Sequence, residues 1–216
     1  MLRERNINLE LEIEFKSPFI VGSGFGLAGL VDLTTVRYSD NIVYLPASSL
    51  KGKIRSEFKK NMETLSSAGA VCNSIVGNKT EICKVPNLAE ACVICRVFGS
   101  ELYEGSLTFE DGVMDSAMRS RLVEIEGDNV MPVFQSSVRT GTRINRWLRI
   151  VEEGALFTCE GVNPVLVFTS HIHGSCFISG DEYVYLKQTI ATITHLGGNK
   201  ARGMGRCCLT VKESAS

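Results

Sequence analysis

The sequence predicts an α+β fold of the ferredoxin-like pattern, and three observations carry that reading. A strand of strict alternation opens the chain, two amphipathic helices stand far apart in it, and each helix is flanked by strands. The 216 residues fit a single domain, residues 1–216, with insertions. Hydrophobic residues make up 44% and charged residues 22%, which excludes a disordered chain. No run of about 18 uncharged apolar residues occurs, so no membrane-spanning helix and no membrane partner is expected. The opening MLRERNINLELEIEF lacks the apolar stretch of a secretory signal, so a cytoplasmic location is expected. A formal net charge of −1 excludes a globally basic binder but not a local basic surface.

The elements follow in order. Ile7, Leu9, Leu11, Ile13 and Phe15 alternate with Asn8, Glu10, Glu12 and Glu14, the period-two pattern of a half-buried strand. Ser17-Pro18 ends it, and a glycine-rich loop with Gly22, Ser23 and Gly24 follows. Residues 32–44 predict a short hairpin turning at Ser39-Asp40-Asn41. After Pro46, Ser48 or Ser49 can cap a helix whose Leu50, Ile54 and Phe58 share one face. Lys51, Lys53, Arg55, Lys59 and Lys60 supply its other side. Residues 61–98 hold four cysteines and weak periodicity, an insertion held by something other than a core. Residues 107–109 read as a strand, and residues 113–153 are arginine-rich without a clear period. Strands are predicted over 155–159 and 165–173, a helix over 181–196 and a last strand over 207–211.

Three segments carry chemistry. The run 197–206, GGNKARGMGR, packs four glycines and three cations into ten residues. Glycine lets a backbone approach a ligand closely and cations neutralise phosphate, so the run reads as a phosphate contact or as a plain glycine-rich turn. It is not a P-loop: Gly198 and Gly203 have the glycine spacing, but no Lys-Ser/Thr follows. Cys72, Cys83, Cys92 and Cys95 form the second segment. Eight cysteines without a secretion signal read as metal ligands or buried thiols before disulfides. The Cys92–Cys95 pair has zinc-knuckle spacing, and four thiolates can order a segment without its own core; buried free thiols are the alternative. Cys159, Cys176, Cys207 and Cys208 fall in or beside predicted strands and read as core residues.

The third segment, residues 137–149, is SVRTGTRINRWLR, with Arg139, Arg143, Arg146, Arg149 and Trp147 and no acid. Arginine grips phosphate bidentately and tryptophan can stack on bases, so nucleic acid is one reading and a solvated face with a packed tryptophan is the other. His171 and His173 lie two apart on a predicted strand, a metal pair or a polar strand face. No histidine precedes His171, so a histidine base in the N-terminal half is excluded.

Together these segments resemble the RAMP superfamily of CRISPR-associated proteins, most closely the backbone subunit of type III effector complexes. The carriers are the first strand with Val21-Gly22-Ser23-Gly24, the run 45–55 LPASSLKGKIR, the run 92–99 CVICRVFG, Gly154-Ala155-Leu156-Phe157 and the terminal glycine loop. The resemblance implies an RNA-recognition-type palm, a cysteine-bearing lid over 61–98, in which the cysteine spacing reads as a structural zinc site, and a thumb hairpin over 125–153. It implies guide RNA, target RNA and other effector subunits, copies of itself included, as partners. It also implies metal-dependent cleavage of target RNA at a loop aspartate, here Asp32, with Mg²⁺ or Mn²⁺. The residues expected on RNA are Gly22, Ser23, Gly24, Ser48, Ser49, Lys51, Lys53, Arg55, Arg139, Arg143, Arg146, Gly197, Gly198, Lys200, Arg202, Gly203 and Arg206. Leu30 and Val31 stand where many relatives have a glycine pair, and Ile20 stands near the place of a loop histidine. An architectural subunit without cleavage, a guide-processing endonuclease and a metalloenzyme using His171 and His173 are the rival readings.

Overall fold

The computed structural model describes residues 2–27, 29–65, 71–72, 83, 87–102, 104–126 and 133–214. Positions 66–70, 73–82 and 84–86 of the segment 61–98, and 127–132 of the segment 125–153, lie outside the described residues. The elements are β1 (Arg3–Phe15), α1 (Ala47–Leu65), α2 (Val93–Phe98), β2 (Thr108–Phe109), α3 (Ser116–Glu126), β3 (Ser136–Asn145), β4 (Ile150–Val162), β5 (Val167–Ile178), α4 (Gly180–Ala191) and β6 (Cys207–Glu213).

Strands β2, β5, β1 and β6 form one antiparallel sheet in that order. The units β1–α1–β2 and β5–α4–β6 thus place their first strands side by side at the centre, which is the ferredoxin-like arrangement. The alternation of β1 dictates this position. Its inner row, Ile7, Leu9, Leu11 and Ile13, is wholly buried, and only a central strand with a covered face can bury so many side chains. Leu50, Ile54, Phe58 and Met62 of α1, four apart, pack onto that row, beside Tyr183, Leu186 and Ile190 of α4. Each such side chain contributes about 1.5–3 kcal/mol by leaving water. Where β1 ends, Phe15 stacks on Phe19 and both meet the edge of Phe168, fixing the path of the loop that follows.

The opposite face of the sheet is polar. Glu10 and Glu12 lie on it near Lys212, and His171 and His173 stand opposite Glu10 and Asn8. His173 reaches Glu110 at 3.4 Å.

Three expectations need correction. The helix predicted over 181–196 ends at Ala191, because the β-branched run Thr192-Ile193-Thr194 and then Gly197-Gly198 disfavour its continuation; Ile193 and Leu196 are still buried, from an extended segment. Ser48 and Ser49 do not cap α1: the helix begins at Ala47, and the Asp111 carboxylate accepts the Ala47 N–H at 2.7 Å. Cys208 is exposed, since period two in β6 sends Cys207 inward and its neighbour outward. Residues 113–153 contain α3 and β3. Helix α3 buries only Leu122 and Glu126 and leaves Met118, Val123 and Ile125 exposed, so its sequence carries no apolar stripe to find.

A second sheet consists of β3 and β4 alone, paired from Ser136↔Val162 outward to Asn145↔Ile150 with a bulge at Thr142/Ile144. At the turn, Asn145 Oδ1 accepts the N–H groups of Trp147 and Leu148, an Asx turn, and Arg149 is left-handed at φ 54.

Candidate nucleic-acid interface

The chain between β1 and α1 docks onto the base of the long hairpin. Leu33 bridges Cys159 of β4 in parallel, and Phe19 bridges Val162. Of the hairpin predicted over 32–44, the arm 37–43 forms, with Asn41 left-handed in the turn at φ 64. The preceding residues, 32–35, instead lie along β4.

This docking fixes Asp32. The Thr158 N–H and hydroxyl donate to its Oδ2 at 2.6 and 3.1 Å. The Asp32 N–H donates back to the Thr158 hydroxyl at 3.0 Å and carbonyl at 3.1 Å. Among the described residues no donor reaches Oδ1, and the side chain is exposed. Two residues along β4, Glu160 is buried against Arg37, Ser136 and the Thr35 N–H, the last at 2.8 Å. Burial alone would raise the Glu160 carboxyl; the bonds from Ser136 and Thr35 and the Arg37 charge outweigh it and hold its pKa below the ordinary value.

On the other side of β4 lies a basic groove. Two adjoining cavities, of about 430 and 690 Å³, share Thr142, Phe157 and Arg202. Arg139 lines the first, Arg143 and Arg146 the second, and no acid lines either. Arg143 reaches Glu152 at 3.5 Å, while Arg139, Arg146 and Arg202 make no ion pair among the described residues. The Arg202 guanidinium lies over the Phe157 ring, 4.4 Å from its centre. The tip of that ring covers Gly141, where a Cβ would sit 2.3 Å from it. Stacking holds the guanidinium plane while leaving its N–H edge for an anion. At the tip of the hairpin Trp147 is 96% exposed, so it is not a packed tryptophan.

Arg202 arrives on the terminal glycine loop, whose glycines divide by role. Gly197 (φ +86) and Gly205 (φ +76) serve the protein's own backbone: a Cβ there would lie 2.3 Å from the Ile20 carbonyl and 2.0 Å from that of Leu196. Gly203 faces open space. Hydrogen bonds from Gly198 N to Ile20 O and from Gly205 N to Pro18 O fasten the loop beside the Gly22 segment. In that segment Ser23 is occupied locally, bonded to Thr34 at 2.8 Å, and Gly24 is open at φ +82.

Partial burial first, then the charges of Lys200, Lys53 and Arg206, hold the His195 pKa below the ordinary value. Lys53 is also paired with Glu57 at 2.9 Å, and Lys51 lies near the Phe109 ring instead. Arg55 makes no ion pair among the described residues. The sequence reading missed Thr158, Glu160 and Arg37, polar residues in strand or loop with no motif to mark them. It quoted Phe157 but assigned it no role.

The four cysteines meet. Their sulfurs all lie within 4.8 Å of one another, and Cys72 is 3.5 Å from both Cys92 and Cys95. Zinc–thiolate bonds of about 2.3 Å place tetrahedral sulfurs roughly 3.8 Å apart, so this set fits such an ion and can hold a metal. Burial opposes ionisation of Cys92, but hydrogen bonds from Cys72 and Cys95 outweigh it and hold its pKa down to about 7. His171 and His173 are joined by no third ligand in a comparable group among the described residues.

A ferredoxin-like sheet elaborated by insertions, with a basic groove along a long hairpin, defines the class of fold. Residues 12–208 match the RAMP superfamily, and the chain belongs to it. Its fold is similar to that of a chain in the cryo-EM structure of type III-B Cmr-beta bound to cognate target RNA. That likeness has a TM-score of 0.64 at 16% identity, over 95% of this chain and 97% of that one. A chain of the type III-B Cmr-beta apo state is similar at TM-score 0.62 and 17% identity, with the same coverage of 95% and 97%. No curated protein matches the sequence.

Proposed function

We propose that the chain is a guide-RNA-binding backbone subunit of a type III CRISPR effector complex, and that Asp32 supports cleavage of the complementary target RNA. The observation that carries this is the adjacency of two features on one strand: unpaired arginines around Phe157 on one side of β4, and Asp32 held by Thr158 on the other. Family membership and the likeness to chains of Cmr-beta support it. In this reading residues 61–98 form a lid with zinc on Cys72, Cys83, Cys92 and Cys95, and the segment 125–153, which holds β3 and the start of β4, belongs to the thumb. Partners are guide RNA, target RNA and other subunits, copies of this chain among them. The location is the cytoplasm; no helix among the described residues is long and apolar enough to cross a membrane.

The groove and glycine loop bind RNA by backbone and shape. The acidic outer face of the sheet repels phosphate and takes no part. In cleavage, a ribose 2′-OH of the target attacks the adjacent phosphorus in line as it loses its proton. The P–O5′ bond breaks and the 5′ oxygen takes a proton, leaving a cyclic phosphate and a 5′-hydroxyl. A Mg²⁺ or Mn²⁺ held beside the scissile phosphate would supply charge stabilisation there. Oδ1 of Asp32 is the oxygen that would hold it, and the hairpin orients the strand for attack.

One observation favours the architectural reading. Asp32 belongs to no group of three or more ligating side chains among the described residues. The test is cleavage of a guide-complementary RNA by the assembled complex with divalent metal, wild type against Asp32→Ala. Loss of cleavage with RNA binding intact is expected; unchanged cleavage would leave the chain architectural.

A further inference from the structure

Successive residues of a strand point to opposite sides, and β4 uses this between 157 and 160. Phe157 and Cys159 line the groove. Thr158 and Glu160 grip the loop at Asp32, Thr35 and Arg37. We propose that Thr158 is a positioning residue for Asp32, selecting one carboxylate orientation in which Oδ2 is held and Oδ1 is presented. Seating RNA against Phe157 and presenting Asp32 thereby act through the same short piece of strand. The inference rests on the reading that Asp32 cleaves target RNA.

An exposed aspartate ordinarily samples several rotamers. Here two hydrogen bonds, both to a charged oxygen and both from one residue, select a single one. The loop backbone is held by further contacts that do not involve the Thr158 hydroxyl. Leu27 and Val31 exchange hydrogen bonds of 2.7 and 3.0 Å, and a Cβ at Gly26 would lie 2.7 Å from the Asp32 carbonyl. With its backbone held, what remains free at Asp32 is the side-chain torsion, which the Thr158 hydroxyl restricts. The strand itself cannot slide, because the buried Glu160–Arg37 pair ties it to the same loop two residues further on.

The test uses the effector complex assembled with guide RNA and the full chain. Thr158→Val keeps shape and removes the hydroxyl; Thr158→Ser keeps the hydroxyl. The expected result is a cleavage rate at saturating target lowered about tenfold by Val, the scale of one lost bond to a charged group. RNA affinity should stay within about twofold, and Ser should restore most of the rate. A wild-type rate for Thr158→Val, with Asp32→Ala inactive, overturns the positioning role. An active Asp32→Ala complex instead overturns the cleavage reading and leaves the contact to a second measurement. That measurement is urea unfolding of the chain with Asp32→Asn, Thr158→Val and both together. A coupling of roughly fivefold in the unfolding constant is expected, and additivity overturns the contact. Should the valine variant fail to assemble, Thr158→Ala against Thr158→Ser carries the same comparison with the same expected order.

Discussion

The palm sheet and the hairpin β3–β4 are both antiparallel ladders, and they place their side chains in opposite ways. In β1 every inward residue from Ile7 to Ile13 is sealed under two helices. In the hairpin only the base is buried, by Ser136, Cys159, Glu160 and Val162, while Ile144, Trp147, Leu148, Ile150, Val151 and Leu156 face outward. A two-stranded ladder with no covered face is marginal in water. The hairpin is held by its junction, where the buried Glu160 cluster with Arg37, Ser136 and Thr35 stands beside the apolar Cys159 and Val162. Apolar burial alone thus holds the palm strand, whereas buried ionic and hydrogen bonds add to the anchoring of the hairpin.

The largest expected effect lies at that junction. Replacing Glu160 by Gln leaves Arg37 mostly buried without its counter-charge, which costs about 3–5 kcal/mol when one partner of such a pair is removed. Because the Glu160 pKa is lowered on folding, its contribution is fully present above the ordinary carboxylate value of about 4.3. It is lost as pH falls through the lower folded value. Urea unfolding from pH 7 to pH 3 should show wild type losing stability across that window and the variant changing less. A Glu160→Gln chain as stable as wild type at neutral pH would break the contrast between an apolar palm and a junction to which buried ionic bonds add.

The next effect separates stability from binding. Ile54→Ala should cost about 2–5 kcal/mol through the cavity it leaves. Trp147→Ala should leave stability within about 0.5 kcal/mol and weaken RNA binding by about 1–3 kcal/mol if the ring stacks on a base. Denaturation and filter binding on both variants check this; a strongly destabilised Trp147→Ala would mean that the hairpin tip packs.

A smaller effect distinguishes the two charged faces. Arg139→Ala and Arg202→Ala should each lower the slope of log affinity against log salt by about 0.7, one phosphate contact on a single strand. Glu12→Gln, on the outer face of the sheet, should leave both slope and affinity unchanged. A matching loss at Glu12 would put RNA on the sheet rather than in the groove.

These contrasts explain what was legible in the sequence. Period two in residues 7–15 and the fourfold spacing of Leu50, Ile54 and Phe58 are written by burial, so strand, helix and pairing face follow directly. The cysteine set was legible because metal ligation demands a residue type rather than a place. Helix α3 and strand β3 left no periodic signal, since elements that bury little carry none, and a hairpin here was expected only from the resemblance. The cap of α1 was misassigned to Ser48 and Ser49 because its actual acceptor, Asp111, is distant in sequence and near only in the fold. Thr158 and Glu160 escaped for the same reason: their partners at 32–37 are joined to them by tertiary docking alone.

The smallest effect concerns His195, which partial burial and the charges of Lys200, Lys53 and Arg206 act on. Its depressed pKa means the folded chain resists the proton. That contribution to stability is present above about 6.5 and is lost as pH falls through the folded value. RNA reverses the sign. A phosphate among these cations relieves their repulsion of the imidazolium, so binding takes up part of a proton and affinity rises as pH falls. Affinity should rise between pH 7.5 and pH 5.5, and His195→Gln should flatten that rise while leaving affinity at pH 7.5 unchanged. A pH profile unaltered by that substitution would place the RNA backbone away from His195, leaving the hairpin groove as the phosphate path and the cluster at α1 as a spectator.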